Sequence, residues 1–451
     1  MNAVVASTDN SHAELDRLAN LAEDVLARCK RAGATQSEVG LSLDKGISVN
    51  VRLGEVETLE HTRDRGVSVT VYFGQRKGSA NTADLTSASI DATIAQACAI
   101  AQFTESDPCA GLADPARLAT SFPDLDLWHP WNVSAERAIE LGVECEAAGR
   151  ALDARLVNSD GASVTSAESV SVYANSHGFL GRERSTRHSV SCSLIGEDAN
   201  GMQRDYWYDS TRDAGSLTDV REIGRRAGQR TLERLDARSL STRECPVLFA
   251  PEVARGLVSH LVSAASGGAL YRQASFLVGQ AGKPVLPPWM GIVERPHLAR
   301  GHGSSTFDAE GVATVDSDLV RDGVLARYVL GSYSARKLGL QSTGNAGGVH
   351  NLVVTGGGMG FDAMLDALGT GLLLTEVMGQ GVNIVTGDYS RGAAGFWVQS
   401  GKIAFPVEEV TVAGNLREML MGIRAVGSDV DPRSHILVGS ILVGKMTVAG
   451  A

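Results

Sequence analysis

The chain has ten histidines, six cysteines and 52 acidic residues with which to do chemistry. A helix-borne zinc site places two histidines on one face, with a glutamate beside one of them to activate the metal-bound water. None of the ten histidines is followed directly by Glu, so neither HExxH nor HExxxH occurs. His297 and His302 form the closest pair, in ERPHLARGHGSS. That stretch reads as a loop, and surface histidines there need no metal. The carboxylate candidates are Asp308 and Glu310 in FDAEG, Glu376, and Asp388 in TGDYSRG. General acid–base work needs such groups held together near a substrate. Spacing alone does not bring these together, and Asp beside glycine reads first as a turn former.

The other common templates also fail. Glycine pairs such as Gly301/Gly303, Gly356/Gly358 and Gly379/Gly381 lack the third glycine of a dinucleotide loop. The Gly-Lys pairs at 282–283, 401–402 and 444–445 are not followed by Ser or Thr. No serine has glycine at both −2 and +2, so there is no nucleophile elbow. Cys29, Cys98, Cys109, Cys145, Cys192 and Cys245 contain no CxxC spacing and read as free thiols.

The elements that must position any site fall into two textures. Leu15, Leu18, Leu21, Val25 and Leu26 recur at helical spacing over 12–32. Alternation of period two follows at 36–44, 47–53, 56–61 and 67–73, punctuated by Gly46, Gly54, Gly66 and Gly74. A helix is expected at about 84–103. Four prolines between 108 and 130 then mark a linker. A helix from Ser134 to Arg150, short strands at 154–158, 168–176, 179–195 and 202–208, and a helix over 216–235 complete a second round. Helix, strands, helix thus appears twice.

Beyond Cys245 glycine becomes dense: 33 of the 51 glycines lie after residue 235. One helix, about Pro251 to Ala265, is followed by short apolar runs broken by glycine, as in a strongly bent β domain. The expected fold class is α+β, with duplicated antiparallel-sheet-plus-helix units and a Gly-rich, barrel-like C-terminal domain with few helices. The expected domains are 1–112, 113–238 and 239–451.

A net charge of −11 leaves no basic face for a phosphate backbone, so direct nucleic-acid binding is not expected. The most apolar stretch, Ile436 to Val443, is interrupted by Gly439 and Ser440 and stopped by Lys445. It cannot span a bilayer. The first residues lack a basic start and an apolar core, and a cytoplasmic protein without membrane contact is expected. Glycine-dense strands suit a groove that pairs with an extended peptide.

Several long blocks resemble one family, the TldD/PmbA proteins, and within it the PmbA (TldE) branch. They are GMQRDYWY at 201–208, SGGALYRQASFL at 266–277, FDAEGV at 307–312 and YSARKLGLQSTGNAGG at 333–348. GQGVNIVTGDYSRGAAGFWVQSGKI at 379–403 and IAFPVEEVTVAGNLREML at 403–420 complete the set. The resemblance implies a cytoplasmic protein tied to proteolysis of small or unfolded peptides, including peptide maturation and antitoxin turnover. An older family name refers to modulation of DNA gyrase.

In the active TldD branch, the resemblance implies a zinc peptidase with HExxxH on a helix and a cysteine ligand near the C-terminus. Here that helix reads GLVSHLVSAASGG, with His260 alone, and no cysteine follows Cys245. No catalytic or metal residue therefore carries over, and His260 is only a weak metal candidate. The resemblance implies no cofactor in this chain, with zinc in a TldD-type partner. The expected partners are that catalytic subunit, in a heterodimer, and an extended peptide. A homodimer is the form open to the chain without its partner. Asn345, Gly347, Asn383, Asp388 and Arg391, polar or flexible positions among the glycine-rich turns, are the expected peptide- or partner-binding residues. Two other readings stand beside this one. One is an independent hydrolase built from His302, Asp308, Glu310 and Asp388. The other is a non-enzymatic binding protein that regulates a topoisomerase such as DNA gyrase.

Overall fold

The computed structural model describes residues 10–450. The first unit comprises α1 (Ser11–Arg31), β1 (Gln36–Arg52), β2 (Glu55–Phe73), β3 (Arg76–Thr82) and α2 (Ser87–Phe103). The second comprises α3 (Ala135–Arg150), β4 (Asn158–Asn175), β5 (Leu180–Asp198), β6 (Gly201–Thr211) and α4 (Val220–Glu233). The two units join edge to edge. β1 pairs with β4 from Glu38↔Asn175 to Val51↔Ala162, giving one antiparallel sheet in the order β3-β2-β1-β4-β5-β6.

Alternation decides what each face of this sheet does. Val39, Leu41, Val170 and Val172 pack under α1 and α2, while Val49, Val164, Val190 and Leu194 pack under α3 and α4. The opposite face carries Ser42, Ser48, Ser163, Thr165, Ser169, Ser171, Ser185 and Ser189. It is a broad hydroxyl surface without helices. The helices are anchored by local chemistry: α1 buries Leu15, Leu18, Ala22 and Val25, α2 is capped by Thr86 and α3 by Ser134.

Three sequence expectations need correction. In place of the short strands expected at 154–158 and 168–176 there is one strand, β4. Gly46 and Gly66 do not break strands, because β1 and β2 run straight through them. At Gly46 a Cβ would lie 2.7 Å from the carbonyl of Ser166, so glycine permits close strand approach rather than a turn. The helix expected from Ser216 starts instead at Val220, capped by Asp219, because Ser216 belongs to a short 3₁₀ turn capped by Asp213.

The C-terminal region contains β7 (Arg243–Phe249), α5 (Pro251–Ala264), α6 (Gly267–Tyr271), β8 (Gly291–Glu294), β9 (Ser317–Arg321), β10 (Val324–Leu325), α7 (Ser332–Leu338) and β11 (Leu352–Thr355). It continues with α8 (Phe361–Leu368), β12 (Gly371–Met378), β13 (Asp388–Gln399), β14 (Lys402–Asn415), α9 (Leu416–Met421), β15 (Ile423–Val426), β16 (Ile436–Leu437) and β17 (Ile441–Ala449). Strands β14-β13-β12-β7-β17 are neighbours in that order, and β14 pairs back onto β17, closing a five-stranded barrel. The barrel bends where side chains would collide: a Cβ on Gly395 would sit 2.0 Å from the carbonyl of Leu373. Phe249, Leu257, Leu261 and Trp397 belong to its core. A second sheet, β10-β9-β8-β11-β16, carries the loops that meet the N-terminal sheet.

The segment between α2 and α3 straps the two halves together. Arg117 donates to Gln341 Oε1 at 2.9 Å and to the Ser342 carbonyl at 2.7 Å. Arg336 donates to the carbonyls of Cys109 and Gly111 at 3.1 and 2.9 Å. Phe179 and Phe307 meet edge to face at 5.3 Å across the seam. Among the described residues no helix is long and apolar enough to cross a membrane.

Candidate functional site

Where the hydroxyl face of the sheet meets the C-terminal loops, a cleft of about 710 Å³ opens. Its floor is formed by Ser42, Ser68 and Tyr173, and its opposite wall by Ser305, Asp308, Gly347 and His350. That volume lies within the usual range for ligand pockets.

A buried polar network holds the wall in place. Glu294, at the end of β8, is 2% exposed. It accepts the Asn345 amide at 2.9 and 3.1 Å and the His350 backbone N–H at 2.5 Å. His350 Nδ1 lies 3.0 Å away, and Arg327 forms an ion pair with the same carboxylate. Burial pushes Glu294 upward, but the hydrogen bond from His350 and the charge of Arg327 outweigh it, holding the carboxyl below its usual range. Asn345 Oδ1 accepts from Arg327 at 2.9 Å and from Thr343 at 2.7 Å. Its amide is thus fully engaged within the wall, and of the expected peptide-binding residues only Gly347 lines the cleft.

Asp308 is 3% exposed and accepts three backbone N–H groups, from Glu310 at 2.9 Å, Val312 at 3.0 Å and Ala346 at 2.9 Å. Burial pushes its carboxyl up to about 6 in spite of those donors. Glu183, across the cleft on β5, is also pushed up by burial, and the hydroxyl of Ser305, which donates to it, opposes the shift. Glu310 instead accepts the Ser332 N–H at 2.8 Å, at the start of α7. His302 lies 3.1 Å from the Ser210 carbonyl. Burial, then Arg187 and Arg212, push it down to about 4. His302, Asp308 and Glu310 therefore bond to separate backbone groups.

Of the remaining expected residues, Asn383 lies in the turn between β12 and β13, and Asp388 and Arg391 lie in β13. Asn383 Oδ1 accepts the Val385 N–H at 2.9 Å, and Asp388 accepts from Thr386 at 2.6 Å. Both are local turn contacts. Glu376, on β12, pairs with Arg234 at 2.5 Å. His260 on α5 meets Tyr389 edge-on at 6.0 Å. Burial, then the charge of Arg391, push its pKa down. One turn either side of His260 stand Gly256 and Ala264. Among the described residues no three His, Cys, Asp or Glu side chains converge to hold a metal. The donor set on this helix does not fit zinc, which needs about three protein ligands.

Profiles described as PmbA/TldA metallopeptidase domain 1, central domain and C-terminal domain match residues 38–101, 128–235 and 242–450. The metalloprotease PmbA of Escherichia coli O157:H7 is 49% identical over 425 residues, 94% of either chain. The chain belongs to the PmbA/TldD metallopeptidase family. A metalloprotease TldD homolog of Haemophilus influenzae, from the other branch, is 23% identical over 410 residues, 85% of this chain and 82% of its own. The fold likeness to solved PmbA/TldD-type structures is close. A Bacteroides thetaiotaomicron protein, described as a modulator of DNA gyrase, superimposes with a TM-score of 0.91 at 26% identity, covering 96% of this chain and 98% of that one. TldE from Thermococcus kodakarensis shares the fold with a TM-score of 0.83 at 20% identity, covering 95% and 100%.

Sequence reasoning missed Glu294, Arg327, His350, Glu183 and Arg212. Glu294 and His350 are 56 positions apart, and no local spacing links them. The one available signal was the alternation along β5, which puts Glu183, Ser185 and Arg187 on the open face.

Proposed function

We propose that this chain is the non-catalytic subunit of a two-chain metallopeptidase acting on small or unfolded peptides. A TldD-type partner would carry the zinc. The observation that carries the reading is α5: at HExxxH spacing a second histidine would stand five residues from His260, and those positions hold Arg255 and Ala265, with Gly256 at the glutamate position in the first case. A water-activating base is missing as well, since Leu261 follows His260.

What this chain contributes is shape. Its hydroxyl-lined sheet and the wall held by Glu294 enclose a cleft that suits an extended peptide and excludes a folded domain. Serine and threonine side chains offer donors and acceptors without bulk, a surface tolerant of sequence. The cytoplasm is the proposed setting, and six free thiols suit it. Contact with nucleic acid has no support in a chain of net charge −11. The test is to purify this chain and a TldD-type subunit from one genome, separately and together, and to assay cleavage of an unstructured peptide. Activity is expected only when both are present. Full activity of the TldD-type chain alone, with no co-purification, would overturn the proposal.

A further inference from the structure

The open face of the sheet ends in a patch of positive charge that Glu183 offsets only from beyond ion-pair distance. Arg187, on β5, is exposed, and its one hydrogen bond is a 3.5 Å contact with the His302 carbonyl. Arg212, just after β6, is 8% exposed. Its terminal nitrogens donate to the carbonyls of Thr186 at 3.0 Å and His302 at 2.9 Å, while its buried Nε has no partner. Among the described residues no carboxylate lies within ion-pair distance of either arginine. A buried guanidinium without a directly paired carboxylate is costly, and one that keeps an unused N–H marks a place where an acceptor is missing.

Both arginines line a second cavity, of about 310 Å³, together with Thr165, Ser169 and Ser185 of the hydroxyl face. Lys45 and Glu168 in this cavity pair with each other at 2.8 Å, and Asp44 is the other acid there. The local field is positive beyond the cavity as well. His302 is half-buried and His435 exposed, and both are pushed down by loss of hydration and then by the charge of Arg187. A planar guanidinium pair at the end of a hydroxyl-lined track is the arrangement that receives a carboxylate, through charge-assisted hydrogen bonds.

We propose that Arg187 and Arg212 form a carboxylate subsite that fixes one end of an extended peptide on the open sheet face. The inference rests on the peptide-holding reading above and adds a direction to it. The carboxylate comes from the peptide's C-terminus or from an acidic side chain, and the experiment separates the two. Isothermal titration calorimetry on the full chain uses three probes: N-acetyl-penta-alanine as the free acid, the same peptide as its C-terminal amide, and that amide with Asp at its third position. The free acid or the Asp-containing amide is expected to bind at least about tenfold more tightly than the plain amide. The probe that does so names the source. Arg187→Ala, at an exposed position, reduces that preference to under about twofold, and Arg187→Lys restores part of it. Equal affinities for all three probes overturn the subsite but leave peptide holding intact. A preference that survives Arg187→Ala also overturns it. If no probe binds, the subsite and the peptide-holding reading fall together.

Discussion

Replacing Arg327 with methionine should loosen the cleft wall far more than a surface change would. Arg327 donates to Glu294, to Ser317 Oγ at 3.0 Å, to Asn345 Oδ1 at 2.9 Å and to the Tyr328 carbonyl at 3.0 Å. The Glu294 side chain is only 3% exposed and that of Arg327 16%, so the pair is little screened by solvent. Taking away one partner of a buried pair costs about 3–5 kcal/mol, because the other charge is left without compensation. Since the loss is local, hydrogen exchange at single amides measures it best. Amides of β8 and of residues 343–351 should exchange about two to three and a half orders of magnitude faster, at 1.36 kcal/mol per tenfold. β5 amides should hardly change. The double variant Arg327→Met/Glu294→Gln removes both charges and should be no worse than Arg327→Met alone. Acceleration under tenfold, or single costs that simply add in the double variant, would refute the view of the wall as one coupled network.

Three further expectations follow from the same geometry. Asp308 has a folded-state value of about 6 against an ordinary 3.8, so its contribution is fully present below the unfolded value and disappears as pH rises through 6. Stability should fall by about 2 kcal/mol between pH 4 and pH 6.5 on this account. Asp308→Asn should flatten that profile in urea titrations, leaving the smaller slope due to Glu183, and an unchanged profile would count against the assignment. Gly395→Val would push a side chain into the Leu373 carbonyl and should cost about 4 kcal/mol or more, seen as roughly thousandfold faster exchange of β12 and β13 amides. His260→Ala should leave both the zinc content and the cleavage rate of the two-chain complex within about twofold. A tenfold loss with release of metal would make His260 a ligand after all.

Part of this was legible without coordinates. The leucine period of α1, the helix–strands–helix order in both units and the turn-rich barrel all follow from local pattern, because each depends on residues close in sequence. The lack of HExxxH is equally local. The joining of the two units through β1 and β4 was not legible, since it pairs residues more than a hundred positions apart. The lengths of β1 and β2 were hidden because glycine can end a strand or let another approach, and Gly46 does the second. The cleft wall was hidden for the same reason as the sheet: Glu294 ends β8, Arg327 follows β10, and Asn345 and His350 lie between α7 and β11. Asn345 illustrates the difference, since a polar residue among glycines looked free to meet a peptide and is in fact bonded within the wall.

The most direct test of the central claim is the zinc content of each chain after the purified complex is separated. Inductively coupled plasma mass spectrometry should find about one zinc per TldD-type chain and less than about 0.1 per copy of this chain, whose separated form cleaves no peptide. One tightly held zinc in this chain, together with peptide cleavage in its partner's absence, would contradict the account.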